Sequence, residues 1–425
     1  MMFQQINNYY QKHKIENRDL VILLLIGGLY SGGIFLSNTF VNVYIWKQSG
    51  ELITIANYNL ASYIFQALAF VWAGKLSKAI DRILILRVGI LFLCLFFVCV
   101  LFIGELAAYY NFILGCLIGI GYGFFWLAFH VMTFEITEPD TRDMFNGVFG
   151  ILSSFAGMVG PLLAGFIIAN MVDDVGYNVI FGISFLLFAC AVIASFFIVR
   201  KGSKGLFAIK HIAKERKRNK NWKRVLHSHF FQGLREGIFG FYITIWVFLV
   251  TNSELALGTF NMFLSGLSIV FYLIAAKYIK PHLRKKSILV GGLLLFASIF
   301  IIIFEVNYTL LMVYAVVIGV AYPILNVPFV SMTFDVIGKA YKAAEMRVEY
   351  IVIREIFLNL GRALSITVFI LAIIFFEEEQ IIPTLLIVFG AGHLVIYFLI
   401  KNIHIGTKKP KEILIKEQIT DEKKR

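Results

Sequence analysis

Ionisable residues inside apolar segments are the places in this sequence where chemistry could occur. Arg235 and Glu236 stand together in one apolar stretch, and Arg354, Glu355, Asn359 and Arg362 stand in another, with Arg347, Glu349 and Tyr350 at its mouth. A charge at the centre of a bilayer costs at least about 2.5–3.5 kcal/mol, so each needs a partner or a task. Glu355, Asn359 and Arg362 recur at i, i+4 and i+7 and form one helical stripe; Arg347, Arg354 and Gly361 form a neighbouring one. A stripe of this kind must face protein or a water-filled cavity. Opposite charges on adjoining helices can pair, and the expected pairs are Glu236 with Arg354 or Arg362, and Glu355 with Arg235. Two tasks fit the set. It can be a closed ion-pair network that fixes helix register. Alternatively it lines a cavity in which one carboxylate takes up and releases a proton, because a buried carboxylate beside movable arginines holds its proton with a conformation-dependent affinity. The excess of arginine also suits a phosphate or carboxylate on a substrate.

The chain that must position these groups has 425 residues, 59% hydrophobic and 15% charged, with a mean hydropathy of +0.81. Soluble domains carry about 25% charged residues, so this is an all-α membrane protein whose first partner is the lipid bilayer. Twelve stretches reach the roughly 20 apolar residues that a span needs. They run over approximately 20–46, 52–74, 83–103, 108–133, 145–170, 177–199, 228–250, 257–278, 287–304, 308–334, 350–376 and 383–400. The run Arg200 to Arg224, with eleven Lys or Arg and one acid, Glu215, divides them six and six. Anionic lipid and the positive-inside rule hold such a loop at the cytoplasmic surface.

The other connections agree with that orientation. Glu51, Glu105, Asp173, Asp174, Glu254, Glu305 and Glu377 to Glu379 fall on the far side, against the single base Lys47. Lys75, Lys78, Arg82, Lys277, Lys280, Arg284, Lys285 and Lys286 fall on the linker side. Both termini are therefore expected in the cytoplasm and the chain in the plasma membrane. The expected organisation is a six-helix bundle over 1–199, a basic cytoplasmic linker over 200–227, a second bundle over 228–402 and a cytoplasmic tail over 403–425. The net charge of +13 belongs to loops facing headgroups, so no nucleic-acid partner is expected. Cys94, Cys99, Cys116 and Cys190 lie in apolar segments and do not read as a disulfide set. No cleavable signal peptide is expected. Nothing matches Gly-x4-Gly-Lys-Ser/Thr, and neither a metal-ligand cluster nor a nucleophile–base pair stands out; the expectation is no enzyme, no ATP-driven pump, no cofactor and no metal.

The chain also repeats itself. Residues 118–136, IGIGYGFFWLAFHVMTFEI, match 318–336, IGVAYPILNVPFVSMTFDV, at an offset of 200, with Glu135 opposite Asp335. At an offset of 202, Gly74, Lys75, Lys78, Arg82, Val88 and Gly89 match Ala276, Lys277, Lys280, Arg284, Val290 and Gly291. At 205, Gly28 to Gly32 match Gly233 to Gly237. Three matches in order at nearly one offset indicate a duplicated six-helix unit, an architecture that places a binding site at the repeat interface.

Two motifs then carry a family resemblance. The loop Gly74-Lys75-Leu76-Ser77-Lys78-Ala79-Ile80-Asp81-Arg82 is similar to the Gly-x-Leu-x-Asp-Arg loop between spans two and three of the major facilitator superfamily, with Lys78 in the acid position and Asp81-Arg82 three residues late. In span five, Gly147, Ala156, Gly160, Pro161, Ala164 and Gly165 follow the spacing of the glycine-proline motif of that family's antiporter branches, with alanine in place of two glycines. Small side chains there let helices approach, and Gly27, Gly28, Gly32 and Gly33 give span one a complementary face.

The chain thus resembles a major facilitator over nearly its whole length. The resemblance implies two pseudo-symmetric six-helix bundles that rock about a midplane site, with spans one, four, seven and ten lining the cavity. It makes Tyr30, Tyr122, Trp126, Tyr322 and Asn326 cavity candidates, and Gly74, Lys78, Asp81, Arg82, Gly147, Gly160, Pro161 and Gly165 gating and packing residues. His130 and His393 read as packing residues. The function expected is secondary transport, monomeric and proton-coupled, by export or antiport of an amphipathic or anionic small molecule or lipid. The alternative is a facilitator-fold scaffold or sensor that no longer transports, which the altered loop motif at Lys78 keeps open.

Overall fold

Lipid offers no hydrogen-bond partners, so apolar stretches of this length satisfy their backbones internally, as helices. The computed structural model describes residues 2–136, 139–172, 174–199 and 205–403. Its amino-terminal half contains α1 (Met2–Ser49), α2 (Leu52–Leu76), α3 (Arg82–Ile103), α4 (Asn111–Ile136), α5 (Pro139–Ala169) and α6 (Val175–Ser195). A short α7 (Ile209–Glu215) lies in the linker. The carboxyl-terminal half contains α8 (Lys220–Thr251), α9 (Glu254–Tyr278), α10 (Arg284–Ala297) continued by α11 (Ile299–Ile303), α12 (Tyr308–Gly338), α13 (Arg347–Phe375), and α14 (Glu378–Gly390) continued by α15 (Gly392–Ile400). Of the basic run, residues 200–204 lie outside the described residues, as do Asp173 and the tail from 404 onward.

Eleven of the described helices are long and apolar enough to cross a membrane. The helix in the second position, α2, is 25 residues long but does not reach that apolarity, because it carries Asn57, Asn59, Ser62 and Gln66. Three helices begin well before the sequence expectation: α1 at Met2 rather than near residue 20, α5 at Pro139 rather than near 145, and span seven. Span seven begins at Lys220, inside the stretch assigned to the linker, because Asn219 caps it by accepting from Trp222 N at 3.0 Å. Trp222, Val225 and Leu226 then recur on one face and are buried, with the intervening cations turned outward.

The duplication appears as repeated close contacts. A Cβ added at Gly89 would strike the backbone of Phe125, and one at Gly291 would strike the backbone of Leu325. Likewise Gly119 lies against the Ser62 carbonyl, and Gly319 against the Leu264 carbonyl. Arg82 pairs with Glu135 at 2.8 Å and Arg284 with Asp335 at 2.7 Å, so the matched residues make matched ion pairs. Between the halves, α5 runs along α9 and α13 runs along α2, which is the exchange a twofold relation requires.

Proline interrupts the hydrogen-bond ladders of α5 and α12 and frees carbonyls. Pro323 cannot donate to Gly319 O, and the Ser268 hydroxyl of α9 supplies the bond instead at 3.3 Å.

Candidate functional site

A cavity of about 460 Å³ lies between the halves. Four helices each contribute one face. Tyr30 comes from α1; Tyr63, Gln66 and Phe70 from α2; Tyr122, Trp126 and His130 from α4; Glu355, Leu358 and Arg362 from α13. The spacings are i, i+3, i+7 on α2 and α13 and i, i+4, i+8 on α4, so each set is a single helical stripe. The amino-terminal half supplies an aromatic wall: Tyr30 stacks on Phe125 with centroids 3.8 Å apart, meets Trp126 edge-on at 5.2 Å, and Trp126 stacks on His130 at 5.3 Å. The Tyr122 hydroxyl donates to Asn38 Oδ1 at 3.1 Å.

The carboxyl-terminal half supplies the charges. Arg362 donates to Glu236 Oε2 from Nε at 3.1 Å and from Nη2 at 2.6 Å, and from Nη1 to Asn359 Oδ1 at 3.2 Å. Its guanidinium also lies over the Tyr63 ring, 5.0 Å from the centroid, so one arginine binds both halves. Glu236 Oε1 accepts from Gln232 Nε2 at 2.9 Å and from the Tyr322 hydroxyl at 3.4 Å. Gln232 is held in turn by His229, 2.9 Å away, and His229 reaches Thr333 at 3.2 Å. Glu355 takes its partner from its own helix: Arg354 donates to Glu355 Oε1 from Nη2 and, at 3.1 Å, from Nε. Asn359 donates to the Glu355 carbonyl at 3.0 Å.

The expected pair of Glu355 with Arg235 does not form. Consecutive helical residues point about 100° apart, so Glu236 faces α13 while Arg235 faces α12 and α15 and stands outside the site. Tyr322 and Asn326 do not line the cavity either. They sit behind it, Tyr322 on Glu236 and Asn326 donating to the Tyr272 hydroxyl of α9 at 3.4 Å. Sequence reasoning missed Tyr63 and Gln66. The signal was present, since Asn59, Ser62, Tyr63 and Gln66 form a polar stripe on the least apolar span.

A model of the Major Facilitator Superfamily matches residues 23–366. The chain belongs to that superfamily. A Bacillus subtilis (strain 168) protein, YqgE, is 53% identical over 393 residues, covering 92% of this chain and 91% of its own. A Geobacillus stearothermophilus protein in the sodM 3′ region is 52% identical over 196 residues, covering 46% of this chain and 92% of its own. The crystal structure of the human organic anion transporter MFSD10 (TETRAN) superposes with a TM-score of 0.68 at 14% identity, covering 90% of this chain and 99% of that one.

In this facilitator the altered loop joins the halves. Lys78, which replaces the family's acid, forms an ion pair with Glu349 of α13 at 3.3 Å and donates to Glu345 O at 2.7 Å. Glu349 is fully buried and also accepts from Ala208 N at 3.2 Å, so the linker is drawn into the same tie. Gly74 lies against Val352 and Phe207. Asp81 caps α3 by accepting from Ile83 N at 3.0 Å, and Arg82 holds Glu135. At the opposite end Lys47 of α1 pairs with Glu254 of α9 at 3.2 Å, and the Tyr177 hydroxyl donates to the same carboxylate at 2.8 Å.

Along α5, Gly160 touches Phe35 and Leu36 of α1, the Pro161 carbonyl faces Gly258 of α9, and Gly165 lies on the backbone of Glu254 and Leu255. Gly147 takes no part in this packing. It is exposed with nothing within 4 Å of an added Cβ, because thirteen residues before Gly160 is about 220° around the helix.

Proposed function

We propose that this protein is a proton-coupled secondary transporter of amphipathic organic anions, working by alternating access as a monomer in the plasma membrane, with linker and termini in the cytoplasm. The observation that carries the reading is the composition of the cavity: an aromatic wall from one half faces Glu355 and Arg362 from the other. Aromatic faces take the apolar body of a substrate, and arginine takes its carboxylate, sulfonate or phosphate. Glu355 is the proton carrier, since it lines the cavity with its helical neighbour Arg354 as its one ion-pair partner among the described residues. Glu236 lies behind, fastened by Arg362, Gln232 and Tyr322. A proton on Glu355 releases arginine for the substrate anion, so proton and anion bind together and move in one direction. The human protein of similar fold, an organic anion transporter, is in accord with this substrate class. Lys78 has a partner in Glu349, which supports a working gate over a scaffold that has lost transport.

A second reading, export by antiport, is favoured by the close packing of α5 through Gly160 and Gly165; in it proton and substrate compete for the cavity. Reconstitution into proteoliposomes holding a pH-sensitive dye, challenged with a panel of aromatic carboxylates and sulfonates, tests both. An anion-dependent acidification on the side the anion enters supports co-transport, and alkalinisation there supports antiport. No substrate-dependent proton flux and no uptake with any anion, from protein that melts cooperatively, would remove the transport reading.

A further inference from the structure

The charge inventory of the carboxyl-terminal half does not close. Away from the linker face its spans hold three arginines, Arg235, Arg354 and Arg362, and two carboxylates, Glu236 and Glu355. Arg354 is paired with Glu355 and Arg362 with Glu236, so Arg235 is left without an ion pair among the described residues. It is 5% exposed, and its Nε and Nη2 have no hydrogen-bond partner. These two nitrogens share one edge of the guanidinium, so their N–H bonds run parallel and suit a single acceptor. The Phe239 ring lies 4.4 Å from the guanidinium carbon and softens the charge from one face only.

A second orphaned group lies beside it. His393 on α15 is fully buried against the Tyr322 ring, and neither ring nitrogen has a hydrogen-bond partner among the described residues. Its chain neighbour Gly392 packs on the Phe231 carbonyl and on Arg235 Cβ, and the field of Arg235 acts on the imidazole. A neutral imidazole carries one N–H donor. The Tyr314 hydroxyl of α12 lies against the Arg235 guanidinium, accepts from it, and keeps its own O–H to donate. A buried cation edge and a buried imidazole, both without hydrogen-bond partners among the described residues, therefore lie side by side on α8 and α15, with the Tyr314 hydroxyl of α12 next to them.

We propose that Arg235 and His393 bind a small monovalent inorganic anion of chloride size between α8 and α15, with Tyr314 of α12 beside it. The site is distinct from the substrate cavity, because Arg235 does not line that cavity and projects from a different face of α8 than Glu236. The anion completes the charge balance of the second bundle and joins α15 to α8. Neither transport nor proton coupling is assumed.

The test is the melting temperature of the full-length protein in detergent, with sodium chloride titrated against sodium gluconate at constant ionic strength. The expected result is a saturable rise in Tm with chloride or bromide that gluconate does not produce. Arg235→Met keeps the length and removes the charge, and its Tm is expected not to respond to chloride. Arg235→Lys keeps the charge but loses the parallel N–H edge, and half-saturation is expected to need about tenfold more chloride. Equal melting of the native protein in chloride and gluconate would overturn the proposal, and so would a chloride response unchanged in Arg235→Met. Acetate stabilising where bromide does not would assign the site to a carboxylate and also overturn it. If Arg235→Met does not fold, crystals of the native protein grown in bromide decide: an anomalous peak within hydrogen-bond distance of Arg235 Nε supports the site, and no peak there refutes it.

Discussion

The two halves share a frame and differ in their lining. Gly89 and Gly119 bring α3 and α2 against α4 in the first half, and Gly291 and Gly319 bring α10 and α9 against α12 in the second. The interior of the first half is a stack of rings around Tyr30, Phe125 and Trp126, whereas that of the second holds arginines and carboxylates. Residues at close helix contacts have no slack, since interiors are packed to crystal density, so both copies of a duplicated unit must keep them small. Residues that face a cavity touch no facing backbone and are free to change. The frame thus records the common origin, and the lining records the division of labour.

The comparison can be broken most sharply at Glu236. Glu236→Ala leaves Arg362 without its carboxylate deep in the bundle and should cost about 3–5 kcal/mol, read as a large fall in Tm. Gln66→Ala, on the aromatic side of the interface, should cost about 1 kcal/mol. Replacing Glu236 and Arg362 together by Met should recover most of the loss; a double variant no better than the single one would mean that the pair does not act through its charges.

Glu355→Gln separates lining from frame. The amide still accepts from Arg354, so the variant should melt within about 1 kcal/mol of the native protein and lose proton-driven accumulation while retaining exchange. A collapse as deep as that of Glu236→Ala would make Glu355 part of the frame. The next effect in size lies on α5. Gly160→Leu and Gly165→Leu should each destabilise by about 1–3 kcal/mol through overpacking, whereas Gly147→Ala, on an open face, should stabilise by roughly 0.5–1 kcal/mol. Thermal melts of the three variants measure the contrast on one helix.

The smallest effect sharpens the frame itself. Arg82–Glu135 and Arg284–Asp335 lie at the bundle edge and should each be worth at most about 1 kcal/mol. Double-mutant cycles should give the two pairs the same coupling within about 0.5 kcal/mol. A larger gap would show that the copies have diverged at their edges as well as in their lining.

The frame was legible because its signals are local or repeated: apolar length, basic loops, and small residues at matched offsets. Much of the charged stripe was legible for the same reason, since Glu355, Asn359 and Arg362 share a face by spacing alone. Which partner each charge takes was not. Glu355 turned to Arg354 beside it, and Arg235 turned away from the cavity, because the azimuth of α8 is set by its packing on α13, α12 and α15 rather than by its own sequence. The loss of apolarity in α2 reads as a weak span until the cavity is seen. Tyr63 and Gln66 are polar because they face it. Lys78 looks like a damaged motif in isolation and becomes half of a tie only when Glu349, 271 positions later, is brought to it.

The two ties between the halves differ in their access to water. Lys47 and Glu254 are 40% and 12% exposed, while Lys78 and Glu349 are 12% and 0% exposed. Mobile ions screen exposed charges over a Debye length of about 8 Å at physiological ionic strength and act far less on buried ones. Salt should therefore loosen the end held by Lys47 and leave the linker end shut. Brine and fresh water would set different resting postures for the same polypeptide, and the medium would become an input to the transport cycle alongside the substrate.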